Sequence, residues 1–322
     1  MRRIKRLESR SARLVAFAGA LVIAIGLSLG LSPIWSFRLA GGFIYAMVMI
    51  SLNILTGYAG QVSFGHSALM GTGAFTGALL ASRGAPPLLA LASAGLCTAA
   101  FAALLGLPAV RIRGLQLAVV TLGYAVLAEN FLFRHISRGG AGLAVPRGRL
   151  LGLDLRSDRV FALLCLALLV LVYFGDIRLL RTRAGRAFLA VRDDEMVASA
   201  AGIDVARYKL MAFSLSGLIA GLAGGLFAYR VESVSAASFP FQLSITFALL
   251  AVVGGLGSRP GVVFVSFVFL FVPEVITPLE RVFPLVYAIV ALVNLGRMPG
   301  GVGSLIPGSK TPLARGIRDA RS

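Results

Sequence analysis

Residues 175–209 read GDIRLLRTRAGRAFLAVRDDEMVASAAGIDVARYK, a long charge-dense stretch that lies between two strongly apolar runs. Its apolar residues recur at i, i+4, i+7, i+8 and i+11, the spacing of one face of an α-helix. They are Leu180, Ala184, Ala187, Phe188 and Val191. The arginines that flank this face are Arg181, Arg183, Arg186 and Arg192. The stretch therefore predicts an amphipathic helix that lies outside the bilayer.

A second, shorter helix is predicted directly after the first. Asp193 or Asp194 can cap its N-terminus, and Gly202 is suited to end it because glycine tolerates the left-handed backbone of a helix stop. Its apolar residues are Met196, Val197, Ala200 and Ala201. Asp204 is a candidate cap for the apolar helix that follows. The alternative interpretation of residues 176–209 is a solvated loop with basic anchors.

The composition indicates a polytopic membrane protein. Hydrophobic residues make up 58% of the 322 residues and charged residues 14%, whereas about 25% are charged in an average globular domain. Mean hydropathy is +0.89, and several runs reach the roughly 20 apolar residues that cross a bilayer core. The spans leave no room for a separate soluble enzyme domain, so the chain is not expected to be an enzyme.

The net charge of +18 is interpreted as the positive-inside pattern, in which Lys and Arg stay on the cytoplasmic side of the bilayer. A compact basic motif with interleaved aromatic residues is missing from the sequence, so nucleic-acid binding is not expected. The lipid bilayer is the partner that this composition implies.

The apolar runs predict an all-α fold of about ten transmembrane helices, with both termini cytoplasmic. The predicted spans cover about residues 14–31, 39–55, 88–110, 115–133, 160–174, 210–229, 243–253, 262–276 and 282–295, and the stretch 57–77 runs into a further span, the third, that ends near residue 81. A count of eight or nine is the main alternative, as is a re-entrant eighth span. The basic start resembles a signal sequence, but its apolar run is long and lacks a clear cleavage site, which favours an uncleaved span. The predicted domains are a basic tail over residues 1–13, a transmembrane domain over 14–297 and a cytoplasmic tail over 298–322.

Two glycine-rich interruptions fall at similar places in the two halves of the chain. Residues 57–77 read GYAGQVSFGHSALMGTGAFTG, and residues 254–261 read GGLGSRPG. Small residues let transmembrane helices approach closely, whereas a broken helix is tolerated at depth where it is buried or lines a path. We favour both roles together, with a weak two-fold internal repeat. The predicted residues of the translocation path are Asn53, Gly57, Gln61, Ser63, Gly65 and His66.

The sequence offers little catalytic or metal-binding chemistry. His66 and His135 have no ligand partner at metal spacing, so no metal site is expected. The pattern G-x-x-x-x-G-K-[ST] is missing, so the chain has no nucleotide site or other cofactor of its own, and any ATP is bound by a partner. Cys97 and Cys165 are interpreted as small buried apolar residues.

Acidic residues near span ends suggest an alternative function. In an ion-coupled secondary transporter of small polar solutes, Glu129 and Glu274 would be the relay candidates. Both are expected close enough to the outer ends to reach water.

Four ordered blocks resemble the branched-chain amino acid ABC permeases of the LivH/LivM family, LivM type. The first is SLNILTGYAGQVSFGHSALMGTGAFTGALL (residues 51–80), and the second is RIRGLQLAVVTLGYAVLAE (residues 111–129). The third is TRAGRAFLAVRDDEMVASAAGIDVARYKLMAFSLSGLIAGLAGGLFAY (residues 182–229), and the stretch at 254–261 also fits. Together they cover roughly residues 51–261.

The resemblance implies a permease of the bacterial inner membrane that works with a second related permease, two ABC ATPase subunits and a periplasmic solute-binding protein. It implies that the loop over residues 176–209 docks on the ATPase. Carried over to this sequence, the docking residues are Gly185, Arg186, Arg192, Asp193, Glu195, Gly202 and Tyr208. Branched-chain or related amino acids are the implied cargo. Ala141 stands where a more polar residue is expected, which leaves urea or amides as alternatives.

Overall fold

The computed structural model describes residue 26 and residues 32–112, 114–137, 142–150 and 153–275. Several predictions lie outside these residues, namely the tails at 1–13 and 298–322, the span at 282–295 and, apart from residue 26, the span at 14–31. The side chain of Glu274 and the residue Ala141 lie outside them as well.

The described chain is mostly helical. Its helices are α1 Pro33–Leu52, α2 His66–Ser82, α3 Pro87–Arg111, α4 Leu115–Leu127, α5 Asp158–Leu179, α6 Arg183–Asp193, α7 Glu195–Ala200, α8 Val205–Val231, α9 Phe241–Gly254 and α10 Arg259–Val275. π-helical turns extend α1 over Asn53–Tyr58 and α4 over Ala128–Phe133, the latter running on into Arg134–Ile136, and a 3₁₀ turn covers Ala236–Ser238. Two antiparallel pairs of short strands join β1 Leu143–Ala144 to β4 Ser233–Val234 and β2 Arg149–Leu150 to β3 Leu153–Asp154.

Six helical segments within the described residues are long and apolar enough to cross a membrane. They are Pro33–Tyr58, Pro87–Arg111, Leu115–Ile136, Asp158–Leu179, Val205–Val231 and Ala236–Gly254. The chain is therefore a multi-pass membrane protein, and the count of about ten spans and the internal repeat stay predictions. The predicted third and ninth spans correspond to α2, which has 17 residues, and to the shorter apolar helix Arg259–Phe271.

Two helix boundaries differ from the prediction in a way that matters below. Helix α1 begins at Pro33 rather than near residue 39, since proline is accommodated in the first turn of a helix. Helix α5 continues to Leu179 rather than ending near residue 174. Asp176, which the sequence assigned to the loop, therefore lies in the last turn of a membrane-spanning helix.

Helix α8 packs closely against α1, α2 and α3 in the bundle. The approach depends on small residues, as is common for helix pairs in membranes. A Cβ atom on Gly73 of α2 would meet the backbone of Gly221 in α8.

On the outside of the bundle, Cys97 of α3 is exposed, which corrects its prediction as a buried residue, while Cys165 of α5 is buried as predicted. An apolar side chain that faces lipid has no need of burial in protein.

Polar contacts define two ends of the bundle. At the first, which we call the loop end, the ends of α1, α3, α5 and α9 meet the starts of α8 and α10 around the segment 180–204. At the opposite end, Arg147 donates to the backbone oxygens of Tyr229 at 2.8 Å and Arg230 at 2.9 Å, and pairs with Asp158 at 2.6 Å. Arg147 thereby joins the loop before α5 to the last turn of α8.

Candidate functional site

The first predicted loop helix is present as α6, and its predicted face is the buried one. Ala187, Phe188 and Val191 are buried against the bundle. The helix begins at Arg183 rather than Leu180, because the Thr182 side chain accepts the backbone N–H of the third helical residue at 3.2 Å. The amphipathic pattern was therefore right about the face and three residues early at the start.

The second predicted loop helix is present as α7, with the predicted cap and stop. The Asp194 side chain accepts the backbone N–H groups of Met196 at 2.7 Å and Val197 at 3.1 Å, which decides between the two candidate aspartates. Gly202 follows the helix with φ +82°, a left-handed conformation that favours glycine. Asp204 caps α8 as predicted. Residues 176–209 are thus a helix, a break and a helix rather than a solvated loop.

Helix α7 turns apolar side chains away from the bundle. Met196 is 72% exposed and Val197 is 66% exposed, and Ala200 and Ala201 beside them are exposed as well. A groove of about 550 Å³ adjoins this surface and is lined by Val110, Glu195, Met196, Ser199, Ala200, Val205 and Ala206. Exposed large apolar residues in a segment this polar indicate a surface that another molecule covers.

The seven predicted docking residues divide into an exposed and an internal set. Arg186, Asp193 and Gly202 are exposed. Gly185 is buried, and a Cβ there would meet the backbone of Leu179 at the end of α5. The half-buried Tyr208 packs its ring edge-on against Phe188 of α6, with 6.2 Å between ring centroids. The internal set, completed by Glu195 and Arg192, holds the loop helices in position.

Glu195 forms an ion pair with a lysine that the sequence did not single out. Lys209 is fully buried, and its Nζ lies 2.7 Å from Glu195 Oε1 and 2.9 Å from the backbone oxygen of Ala109. The pair ties the start of α7 to the first turns of α8 and the end of α3. A lysine that directly precedes an apolar span was the available signal, because such a cation needs a partner when buried.

Arg192 connects the loop to the predicted path segment. Its guanidinium donates to the backbone oxygen of Gly57, with 2.5 Å between Nη1 and the oxygen. A Cβ on Gly60, which has φ +69°, would lie 2.9 Å from Arg192 Cγ. Burial lowers the pKa of Arg192 from its usual range, against the opposing effect of the Asp193 carboxylate. The last turn of α6 thus rests directly on the interruption between α1 and α2.

The two glycine-rich interruptions touch each other. Asn53 Oδ1 accepts the backbone N–H of Gly257 at 2.7 Å, and a Cβ on Gly57 would lie 2.8 Å from that same nitrogen. Asn53 Nδ2 is buried and has no hydrogen-bond partner among the described residues. The sequence placed the interruptions in two halves of the chain, and the structure brings them together at the loop end.

Three further helices supply polar partners to the start of α2. Phe64 donates its backbone N–H to Thr121 of α4 at 2.9 Å, and Ser67 donates its own to Ser244 of α9 at 2.8 Å. His66, which is fully buried, lies 3.0 Å from Ser216 Oγ of α8 through its Nε2 atom. Side chains on these helices were not singled out in the sequence, since lone hydroxyl residues in apolar runs carry no recognisable spacing.

The remaining predicted path residues are held by local contacts. Gln61 donates its side-chain N–H to the backbone oxygen of Ala59 at 3.1 Å. Ser63 Oγ accepts the backbone N–H of Gly65 at 3.2 Å. Both Gln61 and Ser63 are buried, so the segment is enclosed by protein in this conformation. Their role in a translocation path stays a prediction.

Asp176 forms a second buried cluster that the sequence analysis missed. Its Oδ2 accepts the Tyr58 hydroxyl at 3.0 Å and forms an ion pair with Arg259. The Asp176 side chain has no exposed surface, and its Oδ1 has no hydrogen-bond partner among the described residues. An acid at the end of an apolar run was the available signal, because ionisable groups in spans are costly and are usually paired.

The Glu129 carboxylate has a structural role. Its Oε2 accepts the backbone N–H of Phe241 at 2.7 Å, at the start of α9, where a helix N-terminus favours negative charge. Among the described residues, groups of three or more His, Cys, Asp or Glu side chains that could hold a metal ion are absent.

The chain is similar to permeases of known transport systems. Residues 34–295 match the family model described as the permease component of the branched-chain amino acid transport system. The chain is 35% identical over 264 residues to the high-affinity branched-chain amino acid transport system permease protein LivM of Salmonella typhimurium, covering 71% of this chain and 62% of that protein. It is 35% identical over 268 residues to LivM of Escherichia coli, covering 72% and 63%.

A weaker similarity joins the chain to a sugar transporter. It is 35% identical over 162 residues to the fructose import permease protein FrcC of Rhizobium meliloti, covering 45% of this chain and 44% of that protein. The match to the two LivM proteins spans under two thirds of their length. No solved structure matches the chain.

Proposed function

Because the chain belongs to the family of branched-chain amino acid transport permeases, we propose that it is the membrane-spanning permease subunit of an ABC importer in a bacterial inner membrane. A second related permease completes the solute path, and two ATPase subunits, which bind the ATP, drive it. A periplasmic binding protein delivers the solute. The chain itself carries out no chemical reaction.

The observation that carries this proposal is the exposed apolar face of α7. Met196 and Val197 turn outward at 72% and 66% exposure, while Gly185, Arg192 and Glu195 hold the two loop helices against the bundle. Binding of a partner ATPase over this face is favourable because it removes the exposed apolar surface from water. When the ATPase displaces the loop helices, the contact of Arg192 with Gly57 transmits that displacement to the interruption between α1 and α2. Transmission is therefore mechanical, through two loop helices of residues 176–209.

The test of the docking surface is the variant Met196→Asp/Val197→Asp, purified with its partner subunits. Surface changes usually alter stability by less than about 0.5 kcal/mol, so the variant should fold. We expect it to lose the ATPase during copurification and to lose ATP-driven uptake in proteoliposomes. Arg207→Ala, an exposed change outside α7, is the control and should retain both. Retention of the ATPase by the double variant would contradict the docking assignment.

The proposed cargo is a branched-chain or related amino acid, by analogy with the LivM relatives. Urea and amides are the alternative cargoes. Uptake of labelled leucine by the reconstituted importer, with competition by valine, urea and acetamide, distinguishes them. Leucine uptake that urea abolishes and valine leaves unchanged would move the assignment to the alternative.

The competing function is an ion-coupled secondary transporter of small polar solutes, in which Glu129 or Glu274 relays ions. The hydrogen bond from Phe241 to Glu129 favours a capping role for that acid instead. Uptake by the purified chain alone, driven by a proton or sodium gradient without ATP, would support the competing function.

A further inference from the structure

We propose that Asp176, Arg259 and Tyr58 form a latch that fastens both helix interruptions to the base of the loop, so that loop displacement moves the two interruptions as one unit. The inference rests on the proposed function, in which the loop transmits movement from an ATPase. It assigns positioning roles to three residues that lie outside the docking surface and outside the predicted path.

The first support is that the latch joins three separate parts of the chain. Tyr58 is the last residue of the π turn that ends α1, Asp176 lies in the last turn of α5, and Arg259 is the first residue of α10. Asp176 Oδ2 accepts the Tyr58 hydroxyl at 3.0 Å and pairs with the Arg259 guanidinium. The Arg259 guanidinium carbon also lies 5.8 Å from the centroid of the Tyr58 ring. One carboxylate thus connects both interruptions to α5.

The second support is that the latch and the loop contact neighbouring residues of the same backbone segments. Arg192 donates a hydrogen bond to the backbone oxygen of Gly57, which directly precedes Tyr58. Asn53 accepts a hydrogen bond from the backbone N–H of Gly257, which lies two residues before Arg259. The loop, the first interruption and the second interruption are therefore joined in a closed ring of contacts. Breaking the latch opens this ring but leaves the Arg192–Gly57 and Asn53–Gly257 contacts in place.

The third support is the direct covalent and packing connection from the latch to the loop. Asp176 lies three residues before Leu179, and the backbone of Leu179 packs against Gly185 of α6 without room for a Cβ. The last turn of α5 and the first turn of α6 thus move together. A buried ion pair is weak support for stability but a suitable device for fixing one arrangement of packed elements.

The experiment compares Asp176→Asn with Asp158→Asn in the reconstituted importer. Asp158 pairs with the buried Arg147, which also pairs with Glu232 at 3.0 Å, at the opposite end of the bundle, so Asp158→Asn weakens an ion pair remote from the loop. The measurement is the number of solute molecules imported per ATP hydrolysed. We expect Asp176→Asn to lower this ratio by roughly fivefold or more, the lower range of coupling between linked sites, with the ATPase still bound. Asp158→Asn should leave the ratio unchanged.

A charge-swapped variant and a milder one complete the design. Asp176→Arg/Arg259→Asp restores opposite charges and should recover part of the ratio that Arg259→Gln loses. Tyr58→Phe removes only one hydroxyl, so it decides the outcome if Asp176→Asn fails to assemble: a lowered ratio supports the latch, and an unchanged ratio overturns it.

Two results would overturn the latch. The first is an assembled Asp176→Asn complex with the wild-type ratio, and the second is an equal loss in Asp158→Asn. Failure of the proposed function is recognised separately, because the wild-type chain would then copurify without an ATPase or import solute without ATP, whatever the latch variants do.

Discussion

The buried ion pair between Lys209 and Glu195 supports a quantitative prediction. Lys209 has no exposed surface, and Glu195 is 12% exposed at its side chain, so Glu195→Gln leaves a buried ammonium without its counter-charge, with the neutral glutamine oxygen and the backbone oxygen of Ala109 as its acceptors. Breaking a buried pair by removing one partner costs about 3–5 kcal/mol, and the partial exposure of Glu195 favours the lower value. At about 2–4 °C per kcal/mol, a loss of about 3 kcal/mol lowers the melting temperature by about 6–12 °C.

The double variant Lys209→Met/Glu195→Gln is the control for this reasoning. It leaves no unpaired charge, so its unfolding free energy should lie within about 1 kcal/mol of the wild type. A thiol-reactive fluorophore that labels the buried Cys165 on unfolding provides the assay. Because Cys97 is exposed and would react at once, all variants are made with Cys97→Ala.

Two results would refute the reasoning about the pair. One is a melting temperature of Glu195→Gln within about 1 °C of the wild type, which would mean that the ammonium reaches water. The other is a double variant that melts below Glu195→Gln, which would mean that Lys209 stabilises the fold without its partner. If the expected order is found, the Lys209–Glu195 pair holds α7 against the bundle.

Further predictions concern a cap, an acid and a glycine. Asp194→Ala should cost about 1 kcal/mol of unfolding free energy through loss of the α7 cap, and Asp194→Asn should retain most of it, as checked by the same thermal assay. Glu129→Gln should keep ATP-driven uptake with the pH dependence of the wild type, because the glutamine oxygen still accepts the backbone N–H. Loss of uptake would instead favour the relay role. Gly73→Ala should destabilise the chain by about 1–3 kcal/mol because its Cβ meets the backbone of Gly221, whereas Gly123→Ala, with open space around it, should be neutral or slightly stabilising.

Features that depend on neighbours in sequence could be predicted. The buried face of α6 follows from spacing of i+4 and i+7, and the caps at Asp194 and Asp204 bond residues two or three positions ahead. Gly202 ends α7 because one residue type suits its left-handed backbone. Membrane spans are also local, because their apolar length is set by bilayer thickness.

Features that join distant positions could not be predicted. The bond from Lys209 to Ala109 spans 100 residues and that from Gly257 to Asn53 spans 204. A single sequence offers no periodicity that links such positions. The resemblance assigned Glu195 to a partner surface because it lies in the loop, whereas its carboxylate turns inward to a lysine.

The sequence by itself therefore determined the membrane class, the family, the two loop helices and the apolar face of the first of them. Only the tertiary structure decided that Arg192 rests on Gly57, that the two interruptions meet and that Asp176 joins them to α5. The physical reason is that the core of a bilayer offers no water to polar groups. A broken helix and a buried charge must find their partners within the protein, and which partners they find depends on how the helices pack.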